Sequence, residues 1–463
     1  MKYTTSILLA ASGLASALTQ TCTGKAVNEG GNWFCGAVNE IFYEGFTQAG
    51  SYKAVTNMGD SGQCDTEDKA YSGPLSPLDE GLSIHIRGPI NFKQFAVYNL
   101  ANERKRDLNP SPHVHARRNG HHHFHEQRKK KRAEWITATI NGDVVSWENN
   151  YFGPSTAAAD NAAAAATTEP VVNEVVAPTT TQAAAVAETS AAAASKAETK
   201  TKTGSKSGSS KSGSSKSKTG SSSTGAWERT SYYNAEQQTS DNLVFLGNYG
   251  GQGSGVWDTV WGNSLSYINA NADGGSDSPK ILKDVLIPSN KELSIFTAEK
   301  CDSTCGYSRV DDVAYKGFSG ANKIFLFQFK MPLDGDRGFN GDMPALWALN
   351  SRIPRTAQYN DCSCWTSGCG EADFYEVLAS GDTKCKSTFH LQNGAGSSDY
   401  FDRPTDDYVK IAVIFWESTA TVAIKQLDSD FSFDEGLSSA TVSEWLGSVS
   451  SSSQGTSLFQ VAS

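Results

Sequence analysis

Apolar residues along this chain come in short bursts, each bounded by Gly, Asp, Asn and Ser. Lys323–Lys330 (KIFLFQFK), Tyr408–Trp416 (YVKIAVIFW) and Thr419–Leu427 (TATVAIKQL) are rich in β-branched and aromatic residues and too short for ordinary helices, so they predict strands. Gly81–Ile86 (GLSIHI) reads the same way, and Trp135–Trp147 (WITATINGDVVSW) predicts a hairpin turned by Asn141-Gly142. Helical periodicity is scarce; Thr441–Leu446 makes at most one short helix. The pattern predicts an all-β chain whose larger part is a two-sheet sandwich.

Two stretches break the pattern. Pro154–Gly225 is an Ala/Thr run followed by Ser/Gly/Lys repeats, with too few large apolar residues to bury a core, and predicts a disordered linker (154–225). Ala101–Arg132 is basic and His-rich, and predicts a solvated loop or a dibasic processing site, with loose metal binding by its histidines a third reading. They divide the chain into a small Cys-containing β-rich domain (18–153, interrupted by 101–132) and a large domain (226–463). In front, Met1–Ala17 has Lys2, the apolar run Ile7–Leu14 and Ala15-Ser16-Ala17, the layout of a secretory signal. No later run approaches the roughly 18 apolar residues of a membrane span.

Charge narrows the partners. The net charge is -10, but residues 226–463 carry 17 Lys+Arg against 30 Asp+Glu, a net of -13. That sign argues against nucleic acid and suits a neutral polymer such as a polysaccharide. In a secreted chain the nine cysteines predict disulfides rather than zinc sites. Six fall in the large domain, enough for three bridges. Three (Cys22, Cys35, Cys64) fall in the small one, leaving one to cross-link to another chain or to stay free. The small domain shows no chemistry.

Candidate chemistry sits in Glu371-Ala372-Asp373-Phe374-Tyr375-Glu376. A strand alternates faces, so Glu371 and Asp373 point together and Glu376 points away. One inserted residue, a β-bulge, returns Glu376 to the carboxylate face and turns Phe374 to the core. Three acids on one inner face are costly as structure, because like charges raise one another's pKa. As a catalytic set they make sense: in a retaining glycosidase one carboxylate attacks the sugar carbon and the other donates and recovers a proton. Aromatic rings stack on sugar faces, which makes Trp347, Trp365 and Trp416 candidates for substrate binding. His390 is a candidate hydrogen-bonding group or a structural histidine.

MPALWALN followed by GEADFYEVL resembles the catalytic core of glycoside hydrolase family 16, whose β-jelly-roll members cleave β-1,3- and β-1,3-1,4-glucans. The resemblance implies Glu371 as nucleophile, Asp373 assisting, Glu376 as acid/base, and Trp347 beside them. Asn242–Asp258 resembles a segment that ordinarily follows these strands yet here precedes them, which implies a circular permutation of a concanavalin-like jelly roll. The layout as a whole resembles the circularly permuted β-1,3-glucanase family of fungal cell-wall proteins. The expectation is a secreted, wall-associated endo-1,3-β-glucanase without cofactor or catalytic metal, acting on wall β-1,3-glucan. A structural calcium is compatible, but no ligand set singles itself out. A β-glucan transglycosylase and a non-catalytic glucan-binding wall protein are the alternatives.

Overall fold

The computed structural model describes residues 19–20, 23–101, 135–140, 143–148, 227–358, 360, 362–392, 394–447 and 455–461. Residues 1–18, Cys22, nearly all of the basic stretch and the low-complexity tract lie outside them. In chain order the strands that build its two main sheets, with one hairpin beside them, are β1 (Glu40–Glu44), β2 (Gly50–Met58), β3 (Cys64–Tyr71), β4 (Leu82–Arg87), β5 (Ile90–Leu100), β6 (Trp227–Asn234), β7 (Leu243–Gly247), β8 (Glu292–Thr297), β9 (Lys323–Lys330), β10 (Ala345–Asn350), β11 (Glu371–Glu376), β12 (Lys384–His390), β13 (Val409–Trp416), β14 (Thr421–Leu427) and β15 (Thr456–Gln460). Among the described residues one helix, α1 (Ser439–Gly447), covers the short stretch expected of it, and the Ser438 hydroxyl accepts from the Thr441 N–H at its start.

The first sheet runs β15–β1–β14–β13–β9–β5–β6 through its centre. The strands Thr19–Gln20, Trp135–Ile140 and Asp143–Glu148 extend it beyond β15. The second runs β7–β8–β4–β10–β11–β12. The hairpin β2–β3 belongs to neither sheet. Strand β9 shows why its sequence is an unbroken apolar run. Phe325, Phe327 and Phe329 point into the core between the sheets, while Ile324 and Leu326 point outward under Val442 and Trp445 of α1. A strand buried on both faces loses its alternation. The result is the expected all-β sandwich.

The domain division differs from the expectation. Strand β4 pairs with β8 on one side and β10 on the other, and β5 lies between β6 and β9. Residues before the tract therefore supply inner strands of both sheets, and Ile84, Ile86, Phe95 and Val97 belong to the same buried cluster as Phe327 and Phe374. A period-two pattern marks a strand but carries no information about which distant edge it pairs with.

The cysteines follow the same interleaving. Cys64 bonds Cys362 across 298 residues, Cys301 bonds Cys305, and Cys364 bonds Cys369. Cys35 is disulfide-bonded as well. Among the described residues the free thiol is Cys385, buried beside the Met331 sulfur. The expected cross-link through a spare cysteine of the small domain is thereby corrected for Cys35 and Cys64, and the thiol left over among the described residues is buried.

Shared sheets predict shared stability. Residues 227–463 expressed alone will show no cooperative melt, whereas the full chain melts in one transition. Phe95→Ala in the full chain will cost about 3–5 kcal/mol, measured by denaturant unfolding. A fragment that melts cooperatively contradicts this.

Candidate active site

The geometry of β11 is set by one extra residue. Against β10, Leu349 faces Glu371, Ala348 faces Ala372 and Trp347 faces Asp373; the register then shifts, and Leu346 faces Tyr375 and Ala345 faces Glu376. The same shift appears against β12, where Asp373 faces Thr388 and Glu376 faces Lys386. This is the bulge the spacing predicts. Its aromatic residues fix it from the core side: Phe374 packs 6.1 Å from Phe327, and Tyr375 stacks on Phe401 at 4.4 Å while its hydroxyl accepts from Gln426. Ala372, Phe374 and Tyr375 all lie in the inter-sheet core. Glu371, Asp373 and Glu376 occupy the opposite face.

All three acids are 2–3% exposed. Burial raises the pKa of each to about 8, and their mutual charge adds to the rise for Glu371 and Glu376. Three groups act against it. The Trp365 indole N–H donates to Glu371 Oε2, from a 3-10 turn (Cys364–Ser367) closed by the Cys364–Cys369 bridge. His390 Nε2 lies 3.0 Å from Asp373 Oδ2, an ion-pair approach without hydrogen-bond alignment. Arg87 Nη2 lies 3.5 Å from Glu376 Oε1, with its Nε donating to the Met343 carbonyl at 2.8 Å. Held together in low dielectric, the acids titrate as a set. Trp365 and His390 favour the charge on Glu371, and Arg87 draws on Asp373 and Glu376.

Three of the four expected binding residues come to this face. Trp347 lies beside Asp373 but is buried, stacked on His85 at 5.3 Å and packed against Tyr52 and Ala54 of β2. Trp365 and His390 touch the acids directly. Trp416 does not come. It lies on β13 in the first sheet, where alternation turns it outward with Ile414, 6.0 Å from Trp227. A strand rich in large residues on both faces hides which of them points inward.

Three residues of the site come from the stretch read as free of chemistry. On β4, Ser83, His85 and Arg87 line the carboxylate face while Ile84 and Ile86 enter the core. His85 Nδ1 lies 3.1 Å from Glu292 Oε1 and its Nε2 lies 2.9 Å from Ser83 Oγ. Gln358 donates to the same Glu292 oxygen. The signal was the alternation in LSIHIR itself, polar on one face and Ile on the other. Among the described residues no group of His, Cys, Asp and Glu is arranged to hold a metal ion.

The raised carboxylate pKa values predict a pH slope in stability. Between about 4.5, the ordinary Glu value, and about 8, the folded chain holds more protons at these acids than the unfolded chain does. Stability is therefore greatest below that window and falls as pH rises through it. Melting temperatures of wild type and Glu376→Gln, measured from pH 4 to pH 9, will converge at low pH and diverge upward, the variant falling less. Parallel curves contradict this.

The chain matches two family models, the C-terminal model of cell wall protein YJL171C/Tos1 over residues 225–445 and the N-terminal model of the same family over residues 39–100. It is 41% identical to the probable circularly permuted 1,3-beta-glucanase TOS1 of Candida albicans, covering 96% of this chain and 98% of that one. It is 38% identical to a probable circularly permuted 1,3-beta-glucanase of Arthroderma benhamiae, over 94% of each chain. It is 37% identical to TOS1 of Saccharomyces cerevisiae, over 95% of this chain and 97% of that one. No solved structure matches. With near full-length identity to these relatives and a match to both models, the chain belongs to the YJL171C/Tos1 family of cell wall proteins.

Proposed function

We propose that this protein is a secreted, wall-associated enzyme acting on β-1,3-glucan by double displacement. The reading rests on one observation above all: the bulge that gathers Glu371, Asp373 and Glu376 on one face while Phe374 and Tyr375 enter the core. The names of the relatives supply the substrate class.

In this reading Glu371, oriented by the Trp365 N–H, attacks the anomeric carbon as Glu376 delivers its proton to the departing glycosidic oxygen. The glycosyl–Glu371 ester is then cleaved by an acceptor hydroxyl whose proton returns to Glu376. Asp373, held near His390, sits between the two and separates their roles by its charge. Arg87 stabilises the charge Glu376 bears between the two steps. Water as acceptor gives hydrolysis and a sugar hydroxyl gives chain transfer.

The test uses the full chain with a soluble β-1,3-glucan, reading product length by mass spectrometry and reducing ends by colorimetry. Wild type will change the length distribution, and Glu371→Gln and Glu376→Gln will each lose at least about 100-fold in rate. Shorter chains with new reducing ends mark hydrolysis; longer chains at constant reducing ends mark transfer. Wild-type activity will follow a bell in pH, falling on the acid side as the set takes up the proton that silences Glu371 and on the alkaline side as it releases the proton of Glu376. Arg87→Met will move the alkaline limb to higher pH, since it removes a positive charge that favours the ionised form. A folded wild type that retains glucan but leaves its length unchanged makes the chain a glucan-binding wall protein instead.

A further inference from the structure

Away from the carboxylates, a cavity of about 290 Å³, lined largely by polar and charged residues, opens where β4 begins and β10 ends, at the low end of ordinary small-molecule sites. Its wall is rigid. A Cβ on Gly317 would fall 2.6 Å from the Gly81 carbonyl carbon and 2.8 Å from Ser351 Cβ, and the Cys301–Cys305 bridge closes the adjoining loop. Lys69, Lys316, Arg352 and Arg355 line the cavity against a single carboxylate, Glu80.

That carboxylate is already engaged. Glu80 accepts from the Tyr52 hydroxyl at 2.7 Å, from Asn350 at 3.1 Å and from Lys69, with Arg352 Nε a further 3.9 Å away. Lys316 is paired outside the cavity with exposed Glu299 and Asp302. Arg355 forms no ion pair among the described residues. It is 5% exposed, its guanidinium donates to the Cys305 and Tyr315 carbonyls and to the Cys301 sulfur, and its Nε has no hydrogen-bond partner. Burial, with the neighbouring charge of Arg352, pushes its pKa down to about 10. A buried guanidinium without an anion is costly, and a cavity at its side gives an anion room to enter.

We propose that this cavity is an anion-binding site that takes one oxyanion group, a phosphate ester or a carboxylate, carried on a sugar-sized ligand, with Arg352 and Arg355 as its main donors. The Ser351 and Ser319 hydroxyls in the wall suit the hydroxyls of such a ligand. The site is distinct from the carboxylate face, although Asn350 in its wall directly follows Leu349, the register partner of Glu371. The binding does not rest on the glucanase reading.

The full chain would be titrated calorimetrically with inorganic phosphate and with glucuronate, against glucose and against chloride at matched ionic strength. At least one of the two oxyanions will bind saturably and raise the melting temperature, and glucose will not. Arg352→Gln will weaken that binding about tenfold with its melting temperature in buffer unchanged. If that variant is poorly folded, Arg352→Lys keeps the charge, loses the two-pronged geometry and will still bind more weakly than wild type. Preference for phosphate points to a phosphate ester, preference for glucuronate to an acidic sugar, and either supports the site. Absence of binding beyond chloride by both anions, or wild-type affinity in both variants, overturns it.

Discussion

The arrangement depends on a conflict that a regular strand cannot resolve. β11 must turn three acids to one face and bury two large aromatics on the other within six residues, and period-two alternation cannot do both. The bulge between Asp373 and Glu376 resolves it, and the core enforces it, because Phe374 and Tyr375 lock against Phe327, Phe329 and Phe401. The acids are thus gathered by packing on the far side of the sheet. Their proximity in turn requires cations and donors nearby, and His390, Arg87 and Trp365 answer that requirement from three separate elements.

One of those elements joins the fold to the site. Arg87 and His85 come from β4, which precedes the low-complexity tract by some distance in sequence yet sits between β8 and β10 in space. The same strand supplies Ile84 and Ile86 to the core. Completing the second sheet and completing the surroundings of the carboxylates are therefore a single event. The Cys64–Cys362 bridge adds a covalent tie between the two parts of the chain, and the β2–β3 hairpin it anchors packs its Tyr52 against Trp347.

What was legible in the sequence was local. Strand bursts such as KIFLFQFK, the short helix near Trp445 and the bulge in EADFYE all follow from spacing over a few residues, and each is present. What was hidden depended on distant pairing. LSIHIR announced a strand with polar and apolar faces but not the neighbour that makes Arg87 part of a site. YVKIAVIFW is apolar on both faces, so nothing in it told that Trp416 faces α1 and Trp227 rather than the acids. Cysteine counts within each stretch gave parity but no connectivity, and a bridge spanning 298 residues breaks the assumption that each part pairs internally.

The account stands most directly on the role of Glu371. The full chain would be incubated with a β-1,3-linked disaccharide fluoride carrying fluorine at the 2-position of the reacting sugar, which slows cleavage of any covalent intermediate. The digest would then be analysed by tandem mass spectrometry. The account predicts one added disaccharide mass per chain, on Glu371 itself, and none in Glu371→Gln. A label on Glu376 or elsewhere, or turnover with inversion at the anomeric carbon and no label at all, would contradict it.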